Sequence, residues 1–176
     1  MDVTFVAYSP DQAEQIIDFI SGEPWPTFVN ANPSREKVQG WIDEGMYAPP
    51  ENLVFWIMLD GQRIGIIRAH DLPKWPGLDF RISAAYRGRG IGAQALRWIT
   101  AHLFETLPEI SRLEGQTRQD NAAMRAVFRR CGYVKEAHYR KAWPDQSGVS
   151  VDGIGYAMLR EDWERGTTTP VNWDDQ

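Results

Sequence analysis

Cysteine is nearly absent from this chain: Cys131 stands alone among 176 residues. A lone thiol excludes an internal disulfide and suits a reducing, cytoplasmic setting. At the end of a helix-like stretch it reads as a small packed residue. Histidine is scarce too, and His70, His102 and His138 show no ligand spacing with each other or with Cys131, so no metal is expected. No apolar run approaches the ~20 residues of a membrane-spanning helix. Met1–Tyr8 mixes polar and apolar residues, unlike a secretory leader. Positive charge is not in excess: 19 Lys and Arg face 24 Asp and Glu, and a net charge of −5 argues against a general nucleic-acid binder. It suits a cationic partner, weakly. Repeats, low-complexity tracts and long linkers are missing as well, so residues 1–176 read as one domain, long enough for a real core.

What the chain does have is glycine in one informative place. Tyr86-Arg87-Gly88-Arg89-Gly90-Ile91-Gly92-Ala93 follows the strand-like Leu78–Ser83 and precedes a helix-like run from Gln94. Glycines at alternate positions leave the backbone bare, so several N–H groups can point at one anion. The same amides then open a helix, whose N-terminus favours negative charge. Arg87 and Arg89 add mobile positive charge, and the segment reads as a pyrophosphate cradle. A tight strand-to-helix turn is the plainer reading. Gly88, Gly90 and Ala93 also satisfy the dinucleotide pattern G-x-G-x-x-G/A. There, however, the first glycine follows the strand at once, whereas Ala84–Arg87 intervene here.

Further along, helix Gly90–Leu107 breaks at Pro108, and Ser111–Thr117 reads as a short strand. Asp120-Asn121 caps a helix over Ala122–Arg130, which Gly132 stops. The order strand, Arg87-Gly88-Arg89-Gly90-Ile91-Gly92, helix, Leu113-Glu114, Asp120-Asn121, Phe128, Gly132-Tyr133 resembles the GNAT superfamily of acetyl-CoA-dependent N-acetyltransferases. The likeness is close over about residues 78–143. Lys135-Glu136, Arg140, Asp152 and Leu159–Trp163 resemble, more softly, the branch containing ribosomal-protein N-acetyltransferases and small-amine acetyltransferases.

The resemblance implies an α/β (α+β) domain: a mixed, mostly antiparallel sheet with helices on both faces, whose strands at 78–83 and 112–117 lie parallel. It implies acetyl-CoA as cosubstrate and an amine acceptor, with no nucleic acid or membrane partner, and homodimers are common in the family. Arg87, Gly88, Arg89, Gly90, Ile91, Gly92 and Ala93 would hold the pyrophosphate. Ile82, Ser83 and Ala84 would bond the pantetheine arm, and one backbone N–H there could polarise the thioester oxygen. Asn121 and Phe128 would also border the cofactor. Glu114 is the candidate general base, with Asp79 the alternative and pairing with Arg112 or Arg118 the structural reading. Many relatives carry a tyrosine where Phe128 stands, as acid for the leaving thiolate. Phe128 cannot donate, which leaves water, the product ammonium or Tyr139. A non-catalytic acetyl-CoA-binding module and transfer to a protein N-terminus stay open beside small-amine acetylation.

The rest reads as scaffold. Val3–Tyr8 alternates like a strand, and Asp11–Ile20 has helical spacing. Asn32-Pro33 opens a helix to Glu44, with Pro in its first position. Leu53–Leu59 and Ile64–Ala69 flank the hairpin signal Asp60-Gly61-Gln62. Two long strands, Tyr133–Trp143 and Val149–Leu159, surround a turn at Pro144–Gly148, and a short helix at Glu161–Arg165 precedes a loose tail. Trp25 and Trp75, in proline-rich loops, with Glu23, Glu44 and Asp71, could make an acidic-aromatic site for a cation.

Overall fold

The computed structural model describes residues 2–144 and 148–174. Seven strands, β1 (Val3–Ala7), β2 (Leu53–Leu59), β3 (Gln62–His70), β4 (Gly77–Ile82), β5 (Arg112–Arg118), β6 (Val134–Pro144) and β7 (Ser150–Leu159), form one sheet. Their order is β1-β2-β3-β4-β5-β7-β6. Every neighbouring pair is antiparallel except β4–β5, which helix α3 (Ile91–Thr106) connects.

Alternation along β2 fixes the two layers. Val54 and Trp56 join a core with Ile16, Ile17 and Ile20 of α1 (Ala13–Ser21) and with Val38 and Trp41 of α2 (Arg35–Asp43). Phe55 and Ile57 face the larger core, with Leu96, Ile99 and Leu103 of α3 and Phe128 of α4 (Ala122–Arg130). A strand covered on both faces must be apolar throughout, which explains Leu-Val-Phe-Trp-Ile-Met-Leu. The β2–β3 hairpin closes on Asp60 and Gly61, at φ 47° and 82°, the left-handed pair that a primed two-residue turn needs.

Three expectations are adjusted. Helix α2 starts at Arg35 rather than on Pro33, because the Ser34 hydroxyl accepts from the Lys37 N–H and fixes the cap two residues later than expected. Residues 145–147 of the expected β6–β7 turn lie outside the described residues. The chain after α5 (Arg160–Arg165) is tied rather than loose: buried Asp162 accepts from the Thr167 and Thr169 hydroxyls and the Thr169 N–H. The α5 end also reaches the far end of α3, where Arg160 donates to the carbonyls of Phe104, Leu107 and Ile110.

Candidate active site

The parallel strands β4 and β5 meet at one register pair, Gly77↔Glu114, and the Glu114 N–H donates to the Pro76 carbonyl at 2.9 Å. Beyond it they separate toward their C-terminal ends. On its other side β4 is fully paired with β3, where the Ser83 N–H donates to the Ile64 carbonyl. Backbone groups alternate along a strand, so those of Phe80 and Ile82 face the opening. The six residues from Gly77 to Ile82, five steps of the strand, make a cleft edge about 17 Å long. Glu114 marks its inner end, and the glycine segment its mouth.

At the mouth, a tight turn over Ala84–Tyr86 carries the chain to Gly88 and Gly90, at φ 74° and 80°. Gly90 is the N-cap of α3 and offers no side chain to cap it. No hydrogen bond from another described residue engages the amides of Gly88, Arg89, Gly90, Ile91 and Gly92, whereas Ala93 and Gln94 already donate to the Gly90 carbonyl. Five open donors thus cluster where a 16-residue helix begins.

The two arginines brace this turn. Arg87 Nε donates to the Ile82 carbonyl at 2.7 Å, and Arg89 donates to the Ala85 carbonyl at 2.9 Å. Glu23 accepts from the Ala84 N–H at 2.9 Å and lies 3.7 Å from Arg87. Of the Ile82–Ala84 backbone, then, the Ser83 and Ala84 amides and the Ile82 carbonyl are already committed, and the open edge is that of Phe80 and the Ile82 N–H.

Opposite faces of the strands carry different chemistry. Leu78, Phe80, Ile82 and Gly115 look toward the α3–α4 core, and Asp79, Arg81, Arg112 and Glu114 toward the α1–α2 side. Glu114 is half-buried and 3.4 Å from Arg112, which also holds Glu136 at 2.7 Å. Asp79 is 3.8 Å from Arg68. Arg81 is buried, with its guanidinium 3.9 Å from the Phe28 ring centre and 5.3 Å from that of Trp25. Burial draws it below the ordinary arginine range, against the pull of Asp79, and pushes the neighbouring Tyr47 hydroxyl up to about 12.

Asn121 caps α4, its oxygen accepting from the Met124 N–H and its amide donating to Thr117, which leaves one amide N–H over. Phe128 is buried and stacked on Tyr156 at 4.8 Å. Tyr139, half-exposed, covers Gly153 and Gly155 on β7.

The acidic-aromatic grouping is not assembled. Trp25 is buried, donates to the Ile20 carbonyl and receives Arg81 and Arg87 on its ring. Trp75 is exposed, Asp71 holds His70, and Glu44 ends α2. Sequence reasoning passed over Glu23 as a brace and Arg81 altogether. Arg81 had no local signal, because its surroundings come from residues 25–28 and 47.

Among the described residues no group of three or more His, Cys, Asp or Glu side chains is placed for a metal, and no helix is long and apolar enough to cross a membrane.

Residues 2–134 match the acetyltransferase (GNAT) domain family. No curated protein sequence matches the chain significantly. Among solved structures, a probable acetyltransferase is 23 % identical, covering 92 % of this chain and 94 % of its own, at a TM-score of 0.75. RimL, a ribosomal alpha-N-protein acetyltransferase in complex with coenzyme A, is 17 % identical, with 89 % and 93 % covered and a TM-score of 0.76. A mutant spermidine/spermine N-acetyltransferase SpeG from Vibrio cholerae is 13 % identical, with 94 % and 99 % covered and a TM-score of 0.76. These likenesses are of fold.

Proposed function

The chain belongs to the GNAT acetyltransferase family, and on that premise we propose that it moves the acetyl group of acetyl-CoA to a primary amine of a small molecule. The observation that carries this reading is the set of open amides from Gly88 to Gly92 at the start of α3, at the mouth of the β4–β5 cleft. Those donors suit a pyrophosphate, with Arg87 and Arg89 able to turn outward to it. The edge of Phe80 and Ile82 suits an extended amide-bearing arm, which would add along β4 as a strand does. Asn121 has one amide N–H left for the same arm.

Acetyl-CoA supplies an acyl thioester. A β4 backbone N–H aimed at its carbonyl oxygen would hold the charge that develops there. Glu114, at the inner end of the cleft, accepts, directly or through water, the proton that the acceptor ammonium must lose before its nitrogen can attack the thioester carbon. Arg112 keeps that carboxylate in place. Phe128 gives no proton to the departing thiolate, but a thiol pKa of about 8.5 lets it leave without a dedicated acid near neutral pH.

Transfer to the N-terminal amine of a protein is the second reading, favoured by the fold likeness to RimL. Titration calorimetry with acetyl-CoA, CoA and NADH, followed by thiol release over an amine panel, tests both. Acetyl-CoA binding with release on a small amine supports the first reading. Binding with release only on a peptide N-terminus supports the second, and tighter binding of NADH than of acetyl-CoA overturns both.

A further inference from the structure

We propose that Arg81 is a specificity-determining residue that receives a carboxylate of the acceptor, so that the amine acetylated belongs to a small amino acid. This rests on the transferase reading above and narrows its acceptor. Arg81 is 7 % exposed and carries five N–H donors, yet it makes no hydrogen bond and no ion pair within 4 Å among the described residues. Its Nη1 is wholly buried and unpartnered. An arginine cannot shed its charge to escape this, and a buried guanidinium without an anion is costly.

The nearby carboxylates are otherwise engaged. Asp79 lies beside Arg68, and Glu23 holds the Ala84 amide and Arg87. Arg68 adds a second positive charge, with its own Nε buried and unpartnered. Two arginines against one aspartate make this wall cationic, which disfavours a polyamine and favours an acceptor with an anionic end. Geometry points the same way. Phe28 and Trp25 lie beside the Arg81 guanidinium but offer its N–H groups no hydrogen-bond acceptor, so the fork that matches a carboxylate is not satisfied by them. Arg81 also projects from β4 on the same side as Asp79 and as Glu114 of the neighbouring strand. An amino acid could therefore present its amine to the cleft and its carboxylate to this wall.

The test pairs acceptors that differ only in the carboxylate: lysine with cadaverine, and phenylalanine with phenethylamine. Wild-type protein is expected to favour the carboxylated member by about tenfold or more in kcat/KM, as a charge-assisted pair would give. Arg81→Gln should abolish that preference by raising KM for the amino acid far more than for the decarboxylated amine, with the acetyl-CoA Kd unchanged. Arg81→Lys, lacking the fork, should restore it only in part. A wild-type preference for the decarboxylated amine, or an equal loss on both members in Arg81→Gln, would overturn the proposal while leaving the transferase reading intact. Acetyl-CoA binding without transfer to either member overturns it as well. The wild-type comparison needs no variant, so it decides even if Arg81→Gln fails to fold. Failure to bind acetyl-CoA would instead remove the transferase reading itself.

Discussion

Phe128 fills the space in front of Gly115: a methyl group on that glycine would lie 2.5 Å from the Cζ of the ring. The ring is held from behind by Tyr156, stacked at 4.8 Å and 11°. Its tip is therefore committed to β5, with no room for a hydroxyl. Phe128→Tyr is expected to lose about 1–3 kcal/mol through overpacking, seen as a lower Tm, and to bring no gain in kcat. Gly115→Ala should cost a similar amount, and Phe128→Leu in the same chain should recover part of it. A Phe128→Tyr protein that melts like wild type and turns over faster would contradict this packing.

Glu114→Gln removes the proposed base but keeps the shape. The expected result is a fall of roughly 10²–10⁴ in kcat/KM, with the acetyl-CoA Kd unchanged by calorimetry. Asp79→Asn should leave most of the rate. If instead Asp79→Asn abolishes turnover and Glu114→Gln does not, the roles are exchanged.

Gly90 has open space around it, so Gly90→Ala brings no clash; its cost is the φ of 80°, about 1–2 kcal/mol for a side chain in the left-handed region. Relief of that strain turns the neighbouring amides, and the acetyl-CoA Kd should rise about tenfold, some 1.4 kcal/mol. Gly92→Ala is a control for stability, since its nearest neighbour, Val127, is at an ordinary 3.4 Å and no positive φ is involved.

Asp162 titrates below the ordinary aspartate range, chiefly because it accepts from the Thr169 N–H and then from the Thr167 hydroxyl. The unfolded chain takes up its proton first as pH falls, so this contribution to stability is complete above the ordinary range and is lost as pH drops through the depressed value. A series of melts from pH 7 toward pH 3 should show Asp162→Asn less stable than wild type at neutral pH, with the gap closing in acid. A gap independent of pH would mean that the carboxylate charge plays no part.

The glycine turn was legible because its message is local: glycines at 88, 90 and 92 between a strand and a helix state their own backbone requirement. Capping was nearly so. Asn121 stands where it was read, whereas Pro33 misled by two residues because Ser34, next to it, supplies a better cap. Arg81 was illegible. Phe80-Arg81-Ile82 reads only as part of a strand-like run, and residues 25–28 and 47, more than thirty positions away, surround the arginine. The single β4–β5 register pair was equally hidden, because divergence of two strands leaves no mark on either one's composition.

Arg160 donates to the Phe104 carbonyl in the last turn of α3, to that of the C-cap residue Leu107 and to that of Ile110 just beyond, whereas the first amides of the helix meet nothing from the described residues. The helix is neutralised at one pole only. Its 16 peptide units span about 24 Å, and their aligned dipoles leave roughly half a positive charge unanswered at Gly90. The negative end is held by a cation built into the fold, so under the proposed function the electrical counterpart of Arg160 would be a diphosphate that arrives from outside.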